Sequence, residues 1–298
     1  MESGPNKKNT RDTGNMSLGL YFYLEITAIF IMLSWSIYIL FRNGQLYYVP
    51  ISTMGIGAYF VAITLRDMGW PFEISLLGAI MLGIAFSFIL GLGLARASAL
   101  TMIAATIGII IIVQTVIRNM KITGGEMGLF HIPEVPNLLV KTFIIILLVG
   151  ILIHRLDNSR IGRAMSISSI DTDVAATLGV NTYWTSVCLQ MVAGGISALC
   201  GGLYAATMSS LQITPFGFST LLLVICFIFV GGCTTMWGPV IFTPILYGIP
   251  LVLPESIAEW KYIIYGLVLI GILTLRPEGL IDKRLIKALR HKISIGGD

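Results

Sequence analysis

The chain has 298 residues, 56% hydrophobic and only 11% charged, with a formal net charge of +4 and a mean hydropathy of +0.88. A water-soluble domain carries about 25% charged residues, so this composition excludes one and places most of the chain in lipid as a polytopic membrane protein. The basic residues gather in loops and at the ends, which sets membrane orientation and argues against nucleic-acid binding.

The chain opens on MESGPNKKNTRDTGNMS (1–17), which is polar and basic. It lacks the small-residue cleavage pattern after a brief apolar core, so it is not read as a signal peptide. The run 20–41 then has the roughly 20 apolar residues that a spanning helix needs, and the further candidates are 72–95, 98–118, 138–155, 184–207, 216–232, 235–253 and 260–276. One shorter stretch, PISTMGIGAYFVAITLR (50–66), is rich in Gly, Ser and Thr and opens on Pro50. It reads either as a full span or as a broken, re-entrant one.

Charge placement chooses between these. Lys7, Lys8 and Arg11 near the start, Arg155, Arg160 and Arg163 in the middle, and Arg276, Lys283, Arg284, Lys287, Arg290 and Lys292 near the end are all expected on the cytoplasmic side. Both termini inside require an even number of crossings. The expectation is therefore an all-α membrane bundle of about eight spanning helices plus one broken or re-entrant segment, either 50–66 or, if 50–66 crosses fully, another. The chain divides into a cytoplasmic tail (1–17), a membrane domain (18–282) and a second cytoplasmic tail (283–298). Loop 119–137 lies outside and loop 156–183 inside. The tail DKRLIKALRHK fixes orientation or lies on the membrane surface.

The inner loop holds DTDVAATLGVNT, Asp171 to Thr182. Asp171 is a good N-cap, and Asp173 places negative charge in the first turn, where the helix dipole favours it. Ala175 and Ala176 favour helix, and Gly179 suits the left-handed residue that ends one. A helix of about seven residues is too short to stand alone. It is held either by its own membrane domain or by a cytoplasmic partner.

Other motifs are less specific. GGISALCGG places Gly194, Ala198 and Gly202 four apart on one helix face, as close helix packing in lipid requires. Thr123, Gly124 and Gly125 form either a simple outer turn or exposed backbone along a translocation path. Gly231, Gly232, Thr234, Thr235 and Trp237, before Pro239, mark either a helix break near such a path or a tight inner connection. Gln114, Gln190, Thr101, Thr106 and Glu25 are the polar residues inside spans, and intramembrane polar groups are functional candidates. Of all these, Thr123, Gly124, Gly125, Gln114, Thr234 and Trp237 are taken as the candidate pathway. Cys188, Cys200, Cys226 and Cys233 read as small hydrophobes. His131, His154 and His291 have no metal-site spacing, and no GxxxxGK[ST], HExxH or GxSxG motif occurs. The chain is read as a transport subunit that binds no cofactor itself.

SRIGRAMSISSIDTDVAATLGVNT (159–182) resembles the inner-loop motif of ABC importer permeases. It is most similar to the branched-chain amino acid and urea permease family, at Gly162, Arg163, Ala164, Ala175, Ala176 and Gly179. MGIGAYFVA (54–62), TGGEMGLFHIP (123–133), FVGGCTTMWGPVIFTPILYGIPLVLPE (229–255) and LRPEGLI (275–281) resemble further stretches of that family in the same order. Where many relatives carry Arg and Glu before the Ala-Ala pair, this chain has Ser169 and Asp173. The outer loop resembles that of the family's second permease subunit.

The resemblance implies a bacterial inner-membrane heterodimer with a sister permease, two cytoplasmic ATPases that hold ATP and Mg, and an external substrate-binding protein. It implies branched-chain amino acids as cargo, with urea or short amides next. ATPase coupling would then fall on Gly162, Arg163, Asp171, Asp173, Ala175, Ala176 and Gly179. The competing reading is a stand-alone secondary carrier or facilitator for a small polar solute, against which the scarcity of buried carboxylates counts.

Overall fold

Ten helices carry the chain in a computed structural model, which describes residues 7–233, 235–252, 263, 265–267, 270, 271 and 274. They are α1 (Lys7–Arg42), α2 (Val49–Arg66), α3 (Phe72–Leu94), α4 (Ala99–Asn119), α5 (Leu138–Asn158), α6 (Arg160–Ser168), α7 (Thr172–Thr177), α8 (Thr182–Thr207), α9 (Phe218–Gly231) and α10 (Trp237–Val252). Two residue pairs, β1 (Leu129–Phe130) and β2 (Ser210–Leu211), form a short antiparallel ladder. The all-α membrane bundle is as expected. Six helices, Gly19–Arg42 of α1 together with α2, α3, α4, α5 and α8, are long and apolar enough to cross a membrane.

Burial divides these six into a centre and a rim. The most apolar windows of α1, α2 and α8 are 83%, 78% and 78% buried, against 33%, 22% and 17% for α3, α4 and α5. Helices α2 and α3 approach α8 through the small residues of GGISALCGG. A Cβ on Gly57 of α2 would strike the Ala198 carbonyl, and one on Gly83 of α3 would meet the Gly194 carbonyl at 2.5 Å. In lipid, close backbone approach replaces the hydrophobic effect as the source of helix association. Gly57→Val is therefore expected to force α2 and α8 apart, at a cost of about 1–3 kcal/mol or more. The check is a clear loss of monodisperse protein on gel filtration after a short heating step, relative to the same change at Gly93, which faces open space.

Three expectations are corrected. First, 50–66 is not broken. It is a continuous helix, Val49–Arg66, because Pro50 sits in the first turn, where its missing N–H costs nothing.

Second, 216–232 does not form a full span. Helix α9 has 14 residues, roughly 21 Å at 1.5 Å each, against a hydrocarbon core of about 30 Å. It makes a hairpin with α10 whose tip is pinned inside the bundle, where the Trp35 indole N–H donates to the Met236 carbonyl at 2.8 Å. Trp35 lies roughly 10 Å along α1 from its Arg42 end. Helix α9 is the broken element. The candidate span 260–276 and the tail 283–298 lie almost wholly outside the described residues.

Third, the start of the first span and loop 156–183 are at opposite ends. At the end of α1, Tyr38 and Arg42 both bond Asp157 at the end of α5. Near the start of α1, Glu25 shares a small pocket with Glu134 and Thr207. The six long helices alternate in direction, so the amino-terminal tail and loop 156–183 do not share a face. The basic residues at 7, 8 and 11 therefore precede the end of the bundle opposite to the one that holds Arg155, Arg160 and Arg163.

Candidate functional site

Helices α6 and α7 fill the loop between α5 and α8. Ser159 caps α6, its hydroxyl accepting from the amides of Ile161 (3.1 Å) and Gly162 (3.3 Å). Gly162 is buried at the tight α5–α6 bend, where a Cβ would strike the Asp157 carbonyl. Arg163 points outward and is exposed.

The capped helix read from DTDVAATLGVNT is present. The Asp171 carboxylate accepts from the Val174 amide at 3.3 Å. Gly179 takes φ +82°, and the Val180 and Gly179 amides close on the carbonyls of Ala175 (3.1 Å) and Ala176 (3.0 Å). That is the two-bond termination for which a left-handed glycine is suited.

The side chains of α7 face two ways. Ala175 is fully buried against its own chain, whereas Ala176 is exposed. Ile170, Val174 and Leu178 are 87%, 49% and 64% exposed. Ile170 precedes the Asp171 cap, Val174 lies within α7 and Leu178 directly follows it. The Asp173 backbone is helical, and its side chain lies outside the description. Ala175 thus packs α7 onto its own chain. The exposed apolar side chains here are Ile170, Val174 and Leu178, which sequence reasoning passed over because each taken alone is an ordinary apolar residue.

The loop is braced to the bundle. The Arg42 guanidinium lies 3.4 Å from the Asp157 carboxylate and donates to the Ser166 hydroxyl at 3.1 Å. The Tyr38 hydroxyl donates to the same carboxylate at 2.8 Å. The Ser166 hydroxyl donates in turn to the Gly162 carbonyl at 3.0 Å. One set of polar contacts thus ties α1, α5 and α6 together. Beside it lies a cavity of about 680 Å³, with Asn43, Gln45, Arg96, Ser168, Asp171 and Ser186 among its lining residues. Asn43 donates to Ser186 at 3.2 Å, and Gln190 to Gln45 at 3.4 Å. The start of α7, at Asp171 and Thr172, therefore borders a polar space. The sequence signal for this layer is the Asn43-Gly44-Gln45 insertion between two apolar runs.

The residues chosen as a pathway are not brought together. The Thr123 hydroxyl closes the end of α4 on the carbonyls of Ile117 (2.5 Å) and Met120 (2.7 Å). Gly124 and Gly125, at φ +78° and +64°, form the tight turn that follows. Gln114 donates to the Ile213 carbonyl at 3.4 Å and ties α4 to the segment before α9. Trp237 lies elsewhere, half exposed in an apolar groove against α5. Thr234 is outside the described residues. TGGEMGL thus forms a turn at the end of α4.

Among the described residues no group of His, Cys, Asp and Glu is arranged to hold a metal ion. Neither the curated proteins nor the solved structures contain a significant match to the chain. Residues 19–273 match the model of the permease component of branched-chain amino acid transport systems, and the chain belongs to that family of membrane transport permeases.

Proposed function

We propose that this chain is one of two permease subunits of an ATP-driven importer of the bacterial inner membrane, paired with a sister permease. Two cytoplasmic ATPases would hold ATP and Mg, and an external binding protein would deliver the cargo. Branched-chain amino acids are the first cargo to test, then urea and short amides. The observation that carries this reading is the set of exposed apolar side chains, Ile170, Val174 and Leu178, in and beside a short capped helix outside the spanning segments. Such a set in water is unfavourable by about 1.5–3 kcal/mol per side chain relative to burial, so it calls for a cover. Closure of the ATPases would push α7 over the polar cavity. The Arg42–Asp157 contact would pass that displacement to α1, and the bundle would alternate access by rigid-body tilting.

The test is a mild-detergent pull-down of the tagged chain from native membranes. An ATPase and a second permease arriving in near-equal amounts support the importer. A chain that emerges alone and transports when reconstituted by itself supports the carrier or facilitator instead.

A further inference from the structure

A concave apolar groove of about 880 Å³ runs between α5 and the start of α10. Phe143, Leu147 and Ile151 line one side, Trp237 and Val240 the other, and Trp35 of α1 lies between them. The rims are open, with Phe143 45%, Leu147 65% and Trp237 53% exposed. The Trp35 N–H is committed to the Met236 carbonyl, so this part of the groove offers a polar solute little to bond. At one end the lining becomes basic, with His154 and Arg155 both exposed. His154 lies against Asn158. Among the described residues Arg155 has no carboxylate in salt-bridge range.

The dimensions fit an acyl chain. From Arg155 back to Leu139 the lined wall extends roughly 24 Å along α5, so its half nearest Arg155 matches one leaflet of a hydrocarbon core of about 30 Å. Arg155 then stands at headgroup level, at the end of the bundle that also holds Arg160 and Arg163. A protein helix is a poorer occupant. Helices pack in lipid through small residues, and the rims here are bulky. The small residue Gly150 is already covered by the Trp35 ring, 3.1 Å from where its Cβ would lie.

We propose that this groove binds one anionic phospholipid, its acyl chain laid along α5 and its phosphate paired with the Arg155 guanidinium. The pairing is charge-assisted, as in other basic pockets between spanning helices. The inference does not depend on the importer reading.

The experiment is native mass spectrometry of the full chain, purified from membranes containing both phosphatidylglycerol and phosphatidylethanolamine and then progressively delipidated. Wild type is expected to retain one phosphatidylglycerol after the other lipids have gone. Retention should fall about five-fold or more in Arg155→Gln, given the usual contribution of one basic residue at a lipid surface. The groove-filling Leu147→Trp, at an open rim position that tolerates bulk, should lower it as well. Arg118→Gln, at the other end of the bundle, should not. Equal retention of both phospholipids, or an unchanged Arg155→Gln, overturns the proposal. Efficient disulfide cross-linking of Leu147→Cys to a co-purifying second permease would also overturn it, by placing protein in the groove.

Discussion

The double variant Val174→Asp and Leu178→Asp should lose its ATPase on purification and fall at least about 100-fold in ATP-driven uptake, while the membrane bundle stays folded. Both side chains are exposed on α7, so neither substitution creates a cavity or buries a charge in the isolated chain. In a docked complex the two together bury apolar surface worth about 3–6 kcal/mol, and each tenfold in affinity is about 1.4 kcal/mol. Two carboxylates in a dry contact would add a desolvation cost on top. The measurement is co-purification together with uptake into whole cells. Normal uptake by this variant would remove α7 from the coupling surface. Ala175→Arg tests something different. Ala175 is fully buried, so that change should unseat α7 from its own chain, seen as faster proteolysis between 160 and 181.

The second large effect is expected at Asp157. Its carboxylate joins α1 through Tyr38 and Arg42 at the point where α5 turns into α6. The two side chains of the ion pair are only 10% and 17% exposed, so solvent screens them little. Removing one member of such a pair costs about 3–5 kcal/mol when the other is left uncompensated. Asp157→Asn keeps the volume and an acceptor for Tyr38, and it removes the charge. The assembled complex should still bind and hydrolyse ATP, yet move several-fold less cargo per ATP, because α6 no longer carries α1 with it. The check is the ratio of uptake to hydrolysis in proteoliposomes. Partial recovery in Arg42→Asp with Asp157→Arg would separate a transmitting contact from a merely stabilising one. An unchanged ratio in Asp157→Asn would mean that the movement takes another route.

Much of this protein is decided by the sequence alone. Twenty-residue apolar runs become spanning helices because an unpaired backbone is too costly in hydrocarbon, whatever the neighbours are. The capped helix at 172–177 was legible for a similar reason. Asp171 and Gly179 satisfy its ends through bonds to residues no more than five positions away, so no distant partner is needed. The small-residue face of 194–202 was legible because close approach in lipid leaves few other uses for it. What the sequence could not settle is long-range. Whether α9 crosses fully depends on Trp35 reaching Met236, two hundred residues away in sequence. Which end of the bundle receives the first span depends on Tyr38 and Arg42 meeting Asp157. Which way α7 turns depends on where its own chain has room for Ala175, and that decides whether Ile170, Val174 and Leu178 face water. Local bonding energies fix the elements, whereas depth, facing and pairing are set by contacts that exist only once the helices have packed.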